Sequence, residues 1–353
     1  MNAINFNQLQ GGLGPKINHK GQPYLYFGGT AYLGIPRNKR FLAHYLDGIH
    51  AFGLNNGTSR NNNVQLSIYD DAEKFAARRH GAEAALITSS GYLAAQLTVH
   101  HFANWGQVVY APQTHPALWI AGNPGVSGSF GYWSRHVVDL INRSKANRWV
   151  LISNSINNLF PECYDFSFLQ GIAPGKEILL LVDDSHGIGV LGQGLGCFPS
   201  LPQLPFVNVI VVASMAKALG VDAGLVLSSA AIIRQLKKSP VFSGASPPAA
   251  AGLHAFMQAE EIYQEEVLKL QSLCHYFSAG LGASKSEFAA MDGFPVYLSE
   301  DQQLAASLLQ QQVLISSFAY PDQEGELLNR IVLSSWHQEE DLDILLKLMR
   351  CLA

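Results

Sequence analysis

Two strand-like segments of this chain end in residues that could do chemistry. Leu181-Val182-Asp183-Asp184-Ser185-His186-Gly187 closes an apolar run with two carboxylates and an imidazole. Val211-Val212-Ala213-Ser214-Met215-Ala216-Lys217 closes another with a hydroxyl and an amine. Short apolar, β-branched runs that stop abruptly in polar residues read as buried parallel strands, which deliver functional groups at their carboxyl ends. Singly, each residue has an ordinary explanation: a lysine past a strand is usually solvated, and Asp-Asp is often a turn or a helix cap. The order Asp-x-x-His-Gly-x-Gly, then a second buried strand ending Ser-x-x-Lys-x-x-Gly, is much harder to obtain by accident. An amine able to form a Schiff base and an acid able to hold a pyridinium proton are what pyridoxal phosphate requires of a protein.

Other segments must position these groups. Thr88-Ser89-Ser90-Gly91-Tyr92 ends one candidate strand and opens a helix, and free amides at a helix start form an anion site suited to a phosphate. Ser214 is placed to add a hydroxyl to it. His115, in Gln113-Thr114-His115-Pro116-Ala117-Leu118, either stacks on a cofactor ring or caps a helix; this segment alone leaves both open. Candidate strands fall at 84–88, 108–110, 149–153, 178–183, 207–213 and 224–228, and candidate helices at 68–79, 92–102 and 116–122. That alternation predicts a mostly parallel α/β sheet, which binds ligands outside the carboxyl ends of its strands. From about residue 255 a long helical pattern (259–281) leads to strands at 294–298 and 330–333 and a closing helix at 339–351. The expected organisation is an arm over 1–38 with one strand at 24–27, a large α/β domain over 39–255 and a smaller α+β domain over 256–353.

Composition narrows the function classes. Of 353 residues 48% are hydrophobic and 14% charged, with a net charge of −4 and no basic block, which argues against nucleic acid or an anionic membrane as partner. No apolar run reaches membrane-spanning length and the first ten residues lack a signal-peptide pattern, so a cytoplasmic protein is expected. Cys163, Cys197, Cys274 and Cys351 show no paired spacing, and neither a metal site nor a disulfide framework is expected.

These segments resemble, in order over roughly residues 25 to 350, the α-oxoamine synthases. That family of fold-type-I pyridoxal phosphate enzymes includes 8-amino-7-oxononanoate synthase, 2-amino-3-ketobutyrate ligase, 5-aminolevulinate synthase and serine palmitoyltransferase. Ala31-Tyr32-Leu33-Gly34 is similar to the family's Asn-Asp-Tyr-Leu-Gly, and Asn55-Asn56-Gly57-Thr58-Ser59-Arg60 stands at its Gly-Ser-Gly-Gly-Ser-Arg loop. Ser90-Gly91-Tyr92 resembles its phosphate turn, His115-Pro116-Ala117-Leu118 its ring-stacking His-Ala-Ser-Leu, and Asp183-Asp184-Ser185-His186-Gly187 its Asp-Asp-Ala-His-Gly. Ser214-Met215-Ala216-Lys217 and Phe242-Ser243-Gly244-Ala245-Ser246-Pro247-Pro248 also match.

The resemblance implies a seven-stranded, mostly parallel sheet in the large domain. It also implies a homodimer whose shared active site receives Asn55 to Arg60 and Ser243 to Ala245 from the neighbouring subunit. Asp183 would face the pyridine nitrogen, His186 the ring oxygen and His115 the ring face. Lys217 would bond the cofactor and act as base, Arg330 would hold the amino acid's carboxylate, and Asn55 and Tyr69 would line the substrate side. The implied substrates are an amino acid and an acyl thioester.

Several polar positions of that pattern are missing. Thr30 and Ala31 replace Asn-Asp, Tyr69 stands at a histidine, Ala95 at an asparagine, and Asn157-Asn158-Leu159 differs from the family's segment. Gly244 and Ala245 replace hydroxyls, so backbone N–H groups there are expected to meet the phosphate instead. These changes fall more on the acyl-donor side than on the cofactor side. An aldolase, aminotransferase or lyase of the same fold, or a non-catalytic paralogue, are therefore the competing readings.

Overall fold

The computed structural model describes residues 6–157, 159–320, 325 and 327–352. Asn158 and the first five residues of the chain, both used above, lie outside them. The chain divides into two compact units, one of Met1–Leu42, Asn158–Glu162 and Glu261–Ala353, the other of Ala43–Asn157 and Cys163–Glu260.

The second unit is built on a six-stranded sheet. Its order is Ala84–Thr88, Gly224–Ser228, Val207–Ser214, Glu177–Asp183, Arg148–Asn154 and Gln107–Tyr110. The last four run parallel, whereas Gly224–Ser228 is antiparallel to both neighbours. Residues 178–182 are Ile-Leu-Leu-Leu-Val and at most 1% exposed, so both faces of that strand are covered. Such a run has no polar face and can sit only in the middle of a sheet. Leu179, Leu181, Ile210, Val212 and Val226 join Leu97 and Val99 of the helix Gly91–Phe102 in one core. Ser90 caps that helix by accepting from the Leu93 amide at 3.1 Å, an interaction worth about 1 kcal/mol.

The sheet has six strands among the described residues, not the seven expected. After Gln107–Tyr110 the chain carries Gly122, Pro124, Gly125 and Gly128, whose backbone preferences favour turns, and forms no strand before the helix Phe130–Arg143. The helix expected over 116–122 is a single 3-10 turn, Pro116–Leu118. Helices Lys39–Phe52, Phe130–Arg143 and Ala230–Lys237 were not anticipated. The helix expected over 68–79 has those bounds, and its neighbour begins at Gly91 rather than 92.

Among the described residues the other unit carries a six-stranded sheet, in the order Lys16–His19, Gln22–Phe27, Val313–Ala319, Leu327–Val332, Val296–Ser299 and Phe288–Ala290. All neighbours are antiparallel except Gln22–Phe27 with Val313–Ala319. The stretch read as an arm thus supplies two strands to the sheet of the C-terminal segment. The helix Glu260–Leu281 packs Phe277 edge-on against Tyr297 at 4.8 Å. Gly280 lets the closing helix Glu339–Leu352 approach, since a Cβ there would lie 2.3 Å from Leu346 Cδ1. Among the described residues no helix is long and apolar enough to cross a membrane.

Candidate active site

Register brings the chemistry to one end of the larger unit's sheet. Asn154 is level with Asp183, Asp183 with Val212, and Ser214 with Gly224. Beyond these strand ends Lys217 Nζ lies 2.8 Å from His186 Nε2. A contact that short between two nitrogens needs a lone pair on one of them, so the pair carries no more than one positive charge. Asp183, half-buried, accepts from the Ser185 amide through Oδ1 at 2.8 Å.

Asp184 is 1% exposed and has a different environment. It accepts from Ser155 Oγ at 2.6 Å and from the Cys197 amide at 2.8 Å. Burial pushes its pKa up to about 7 against the pull of those hydrogen bonds. Gly187 and Gly196 make room for it, because a Cβ at either would fall within 2.2 Å of its oxygens.

The helix start meets the lysine strand at contact distance. A Cβ on Gly91 would lie 2.5 Å from Ser214 Cβ, and one on Gly224 would lie 2.1 Å from the Ser90 carbonyl oxygen. Two glycines therefore seat the amino end of the helix Gly91–Phe102 beside Ser214. Ser214 is fixed in turn, its amide donating to Ser185 Oγ at 2.8 Å. Tyr92 is 61% exposed on the first turn.

His115 caps its 3-10 turn, with Nδ1 accepting from the Ala117 amide at 3.1 Å, which leaves the proton on Nε2. Burial lowers its pKa, while Asp183 raises it and Lys217 lowers it, so this ring lies within the field of both. The Asn154 side chain positions the segment by accepting from the His115 amide at 3.2 Å and donating to the Gln113 carbonyl at 2.6 Å. Sequence reasoning missed Asn154 and Ser185. The signal for Asn154 was a polar residue closing a third buried strand at the level of Asp183.

The other residues singled out lie elsewhere. Asn55, Tyr69 and Gly244 line a cleft of about 430 Å³ whose walls include neither Asp183, His186 nor Lys217. Asn55 Oδ1 accepts from the Gly57 amide, and Tyr69 donates to the Pro248 carbonyl at 3.2 Å with the Arg60 guanidinium 5.0 Å from its ring centre. Arg60 is itself paired with Glu73, which Lys237 reaches at 2.6 Å. The Ala245 amide caps its own short helix by donating to Val241, so it is already engaged within this chain. Ala95 is 1% exposed in the apolar core, where an asparagine amide would need buried partners. In the smaller unit Arg330 is 4% exposed, and the Ala31 carbonyl accepts from Ser334 Oγ at 2.6 Å.

A primary amine, an acceptor carboxylate, a neutral imidazole and a helix start capped by serine match the aldehyde, ring nitrogen, ring face and phosphate of pyridoxal phosphate. Fold and site together define a pyridoxal phosphate-dependent transferase of fold type I. The model of the aminotransferase class I and II family matches residues 46–348, and the chain belongs to that family.

Relatives similar to it include the 8-amino-7-oxononanoate synthase of Petrotoga mobilis, 24% identical over 363 aligned positions that cover 97% of this chain and 92% of the relative. The 8-amino-7-oxononanoate synthase of Aeromonas salmonicida is 26% identical over 351 aligned positions that cover 96% of this chain and 88% of its own. Among solved structures, Sphingomonas wittichii serine palmitoyltransferase superposes with a TM-score of 0.78 at 15% identity, covering 99% of this chain and 91% of that one. The 8-amino-7-oxononanoate synthase of Francisella tularensis gives 0.69 at 18% identity, covering 92% and 96%.

Proposed function

We propose that this protein is an acyltransferase of the α-oxoamine synthase type. It joins an amino acid to the acyl group of a coenzyme A or acyl-carrier-protein thioester, giving an aminoketone, carbon dioxide and the free thiol. The observation that carries this reading is the Lys217–His186 contact of 2.8 Å beside Asp183 and His115, in a chain similar over nearly its whole length to 8-amino-7-oxononanoate synthases.

When bound, pyridoxal phosphate supplies an electron sink for negative charge at the amino acid's α-carbon. The protein's part is to hold, orient and move protons. Asp183 holds a proton on the ring nitrogen, and its own Oδ1 is kept in place by the Ser185 amide. Lys217 Nζ would hold the cofactor through its aldehyde carbon and would serve as the base for the amino acid's α-proton. His186 Nε2, 2.8 Å away, is placed to exchange a proton with that nitrogen. His115, whose Nδ1 accepts from the Ala117 amide and so carries no proton, offers a flat face without opposing the ring's positive charge. The amides at the start of Gly91–Phe102, with Ser90 and Ser214, receive the phosphate, which the helix dipole favours. Arg330 holds the carboxylate, a role supported by its resemblance position and by two guanidinium nitrogens that have no partner.

The test begins with borohydride reduction of purified holoprotein followed by peptide mapping. Label on Lys217 is expected, and label on another lysine overturns the site. Amino acids are then screened with acyl thioesters, and equal yields of carbon dioxide and free thiol are expected. Amino-group transfer to a 2-oxo acid without either product assigns the chain to aminotransferase chemistry. Absence of any α-proton exchange assigns it to a non-catalytic role.

A further inference from the structure

The smaller unit contains a cavity of about 340 Å³ that the proposed reaction does not use. All its walls belong to that unit, and no residue assigned to the cofactor lines it. Its floor is apolar: Leu281, Leu304, Leu346 and Met349 are at most 8% exposed. Gly280 lets the closing helix Glu339–Leu352 press on Glu260–Leu281 at Leu346. One turn further on, Arg350 reaches back to the Gly280 carbonyl at 2.9 Å. The two helices are pinned there, while the strand Val296–Ser299 has ended and the next helix starts only at Leu304. The space between is the cavity.

Its mouth carries an excess of one charge. Glu287, Glu300 and Asp301 line it and are exposed, and among the described residues no ion pair reaches any of them. Lys285 is engaged with Asp292 at 2.9 Å, and the Arg350 guanidinium is committed to the Gly280 carbonyl. Asp301 is held in place. Its amide donates to Ser299 Oγ at 3.1 Å, its carbonyl accepts from the buried Asn329 at 2.8 Å, and Oδ1 accepts from the Gln303 amide at 2.8 Å. An apolar floor under an anionic rim suits one chemistry. A neutral apolar molecule leaves the carboxylates unanswered, and an anionic one is repelled by them. The volume is at the lower end of the roughly 300–1,000 Å³ of small-molecule sites, which calls for one compact ligand. We infer that this cavity binds a small lipophilic cation: a protonated amine on a compact apolar body, the body on the leucines and Met349 and the charge at the rim.

The test is equilibrium dialysis of holoprotein against N,N-dimethylhexylamine, a tertiary amine that cannot condense with the cofactor's aldehyde. Hexanol and hexanoate are the matched controls. One amine per chain should bind, about tenfold tighter than either control. Glu287→Gln, Glu300→Gln and Asp301→Asn together should weaken the amine about tenfold, the sum of three exposed ion pairs, and move hexanol less than twofold. Ser284→Trp places a large ring on the cavity wall and should abolish amine binding with the thermal midpoint unchanged. The rim variant alters only exposed side chains, so it decides the inference even where Ser284→Trp does not fold. Hexanol or hexanoate binding as tightly as the amine overturns the cation preference, as does a rim variant that binds the amine like the unaltered protein. No saturable amine binding, or binding that survives in folded Ser284→Trp, overturns the site.

Discussion

Asp183 and Asp184 are adjacent in the chain, but alternation along an extended strand end turns their side chains to different surroundings. Asp184 is enclosed by Ser155, Cys197, Gly187 and Gly196, whereas Asp183 remains half-buried within electrostatic reach of His115. Asp183→Asn should therefore keep the cofactor and slow α-proton exchange by orders of magnitude, while Asp184→Asn leaves exchange nearly intact; the opposite result reverses the assignment. Asp184 has its own signature in stability. Its carboxyl loses a proton near 3.8 when unfolded and near 7 when folded. Between those values the folded protein holds a proton that the unfolded chain has released, so stability falls as pH rises through the window. The full effect is on the order of 4 kcal/mol. Asparagine at 184 has no such titration, so the stability advantage of aspartate over asparagine should shrink from pH 5 to pH 8 in urea melts.

Among the elements, the contact of greatest consequence is the seating of the helix Gly91–Phe102 on the ends of Val207–Ser214 and Gly224–Ser228. The spacings of 2.5 Å and 2.1 Å from hypothetical Cβ atoms involve Ser214 backbone-linked atoms and a main-chain carbonyl, none of which can swing aside. Gly91→Ala should push the helix start away from Ser214, lowering stability by about 2 kcal/mol. It should also weaken phosphate binding. Thermal melts with and without cofactor check this: a holoprotein as stable as the unaltered one, with unchanged cofactor affinity, removes the helix start from the phosphate site. Sequence reading reached Ser90-Gly91 as a turn into a helix. The need for glycine was hidden, because its clash partner lies on another strand.

For the whole molecule, the larger unit exposes Leu54 at 76%, Val64 at 73% and Val241 at 52%. Leu54 lines the cleft that also holds Asn55, Tyr69 and Gly244, and Val241 belongs to the helix that ends at Gly244. Large apolar side chains beside a polar cleft suit a surface that a second copy covers, and two-fold association is the commonest way to cover one. The expected assembly is a homodimer in which this region completes the partner's cofactor site. Dilution below the dimer's dissociation constant should release pyridoxal phosphate together with the partner, followed by sedimentation and absorbance. A monodisperse monomer that retains cofactor overturns the assembly.

The local chemistry of this chain is written in its sequence. Strand ends at Asp183 and Lys217, the helix start at Ser90-Gly91 and the histidine before Pro116 are short-range patterns, each set by apolar runs and by residues that end them. Strand pairing is not local, so tertiary structure alone decided that Asn154, Asp183 and Val212 stand level and that Gly224–Ser228 runs against its neighbours. It alone placed Ser185 against the Ser214 amide and turned Asp184 into a glycine-lined recess. It also set the Ser334 hydroxyl on the Ala31 carbonyl at 2.6 Å, 303 residues away in the chain. A hydrogen bond across that separation leaves no periodicity to read; it exists only because the strands Gln22–Phe27, Val313–Ala319 and Leu327–Val332 lie side by side in one sheet.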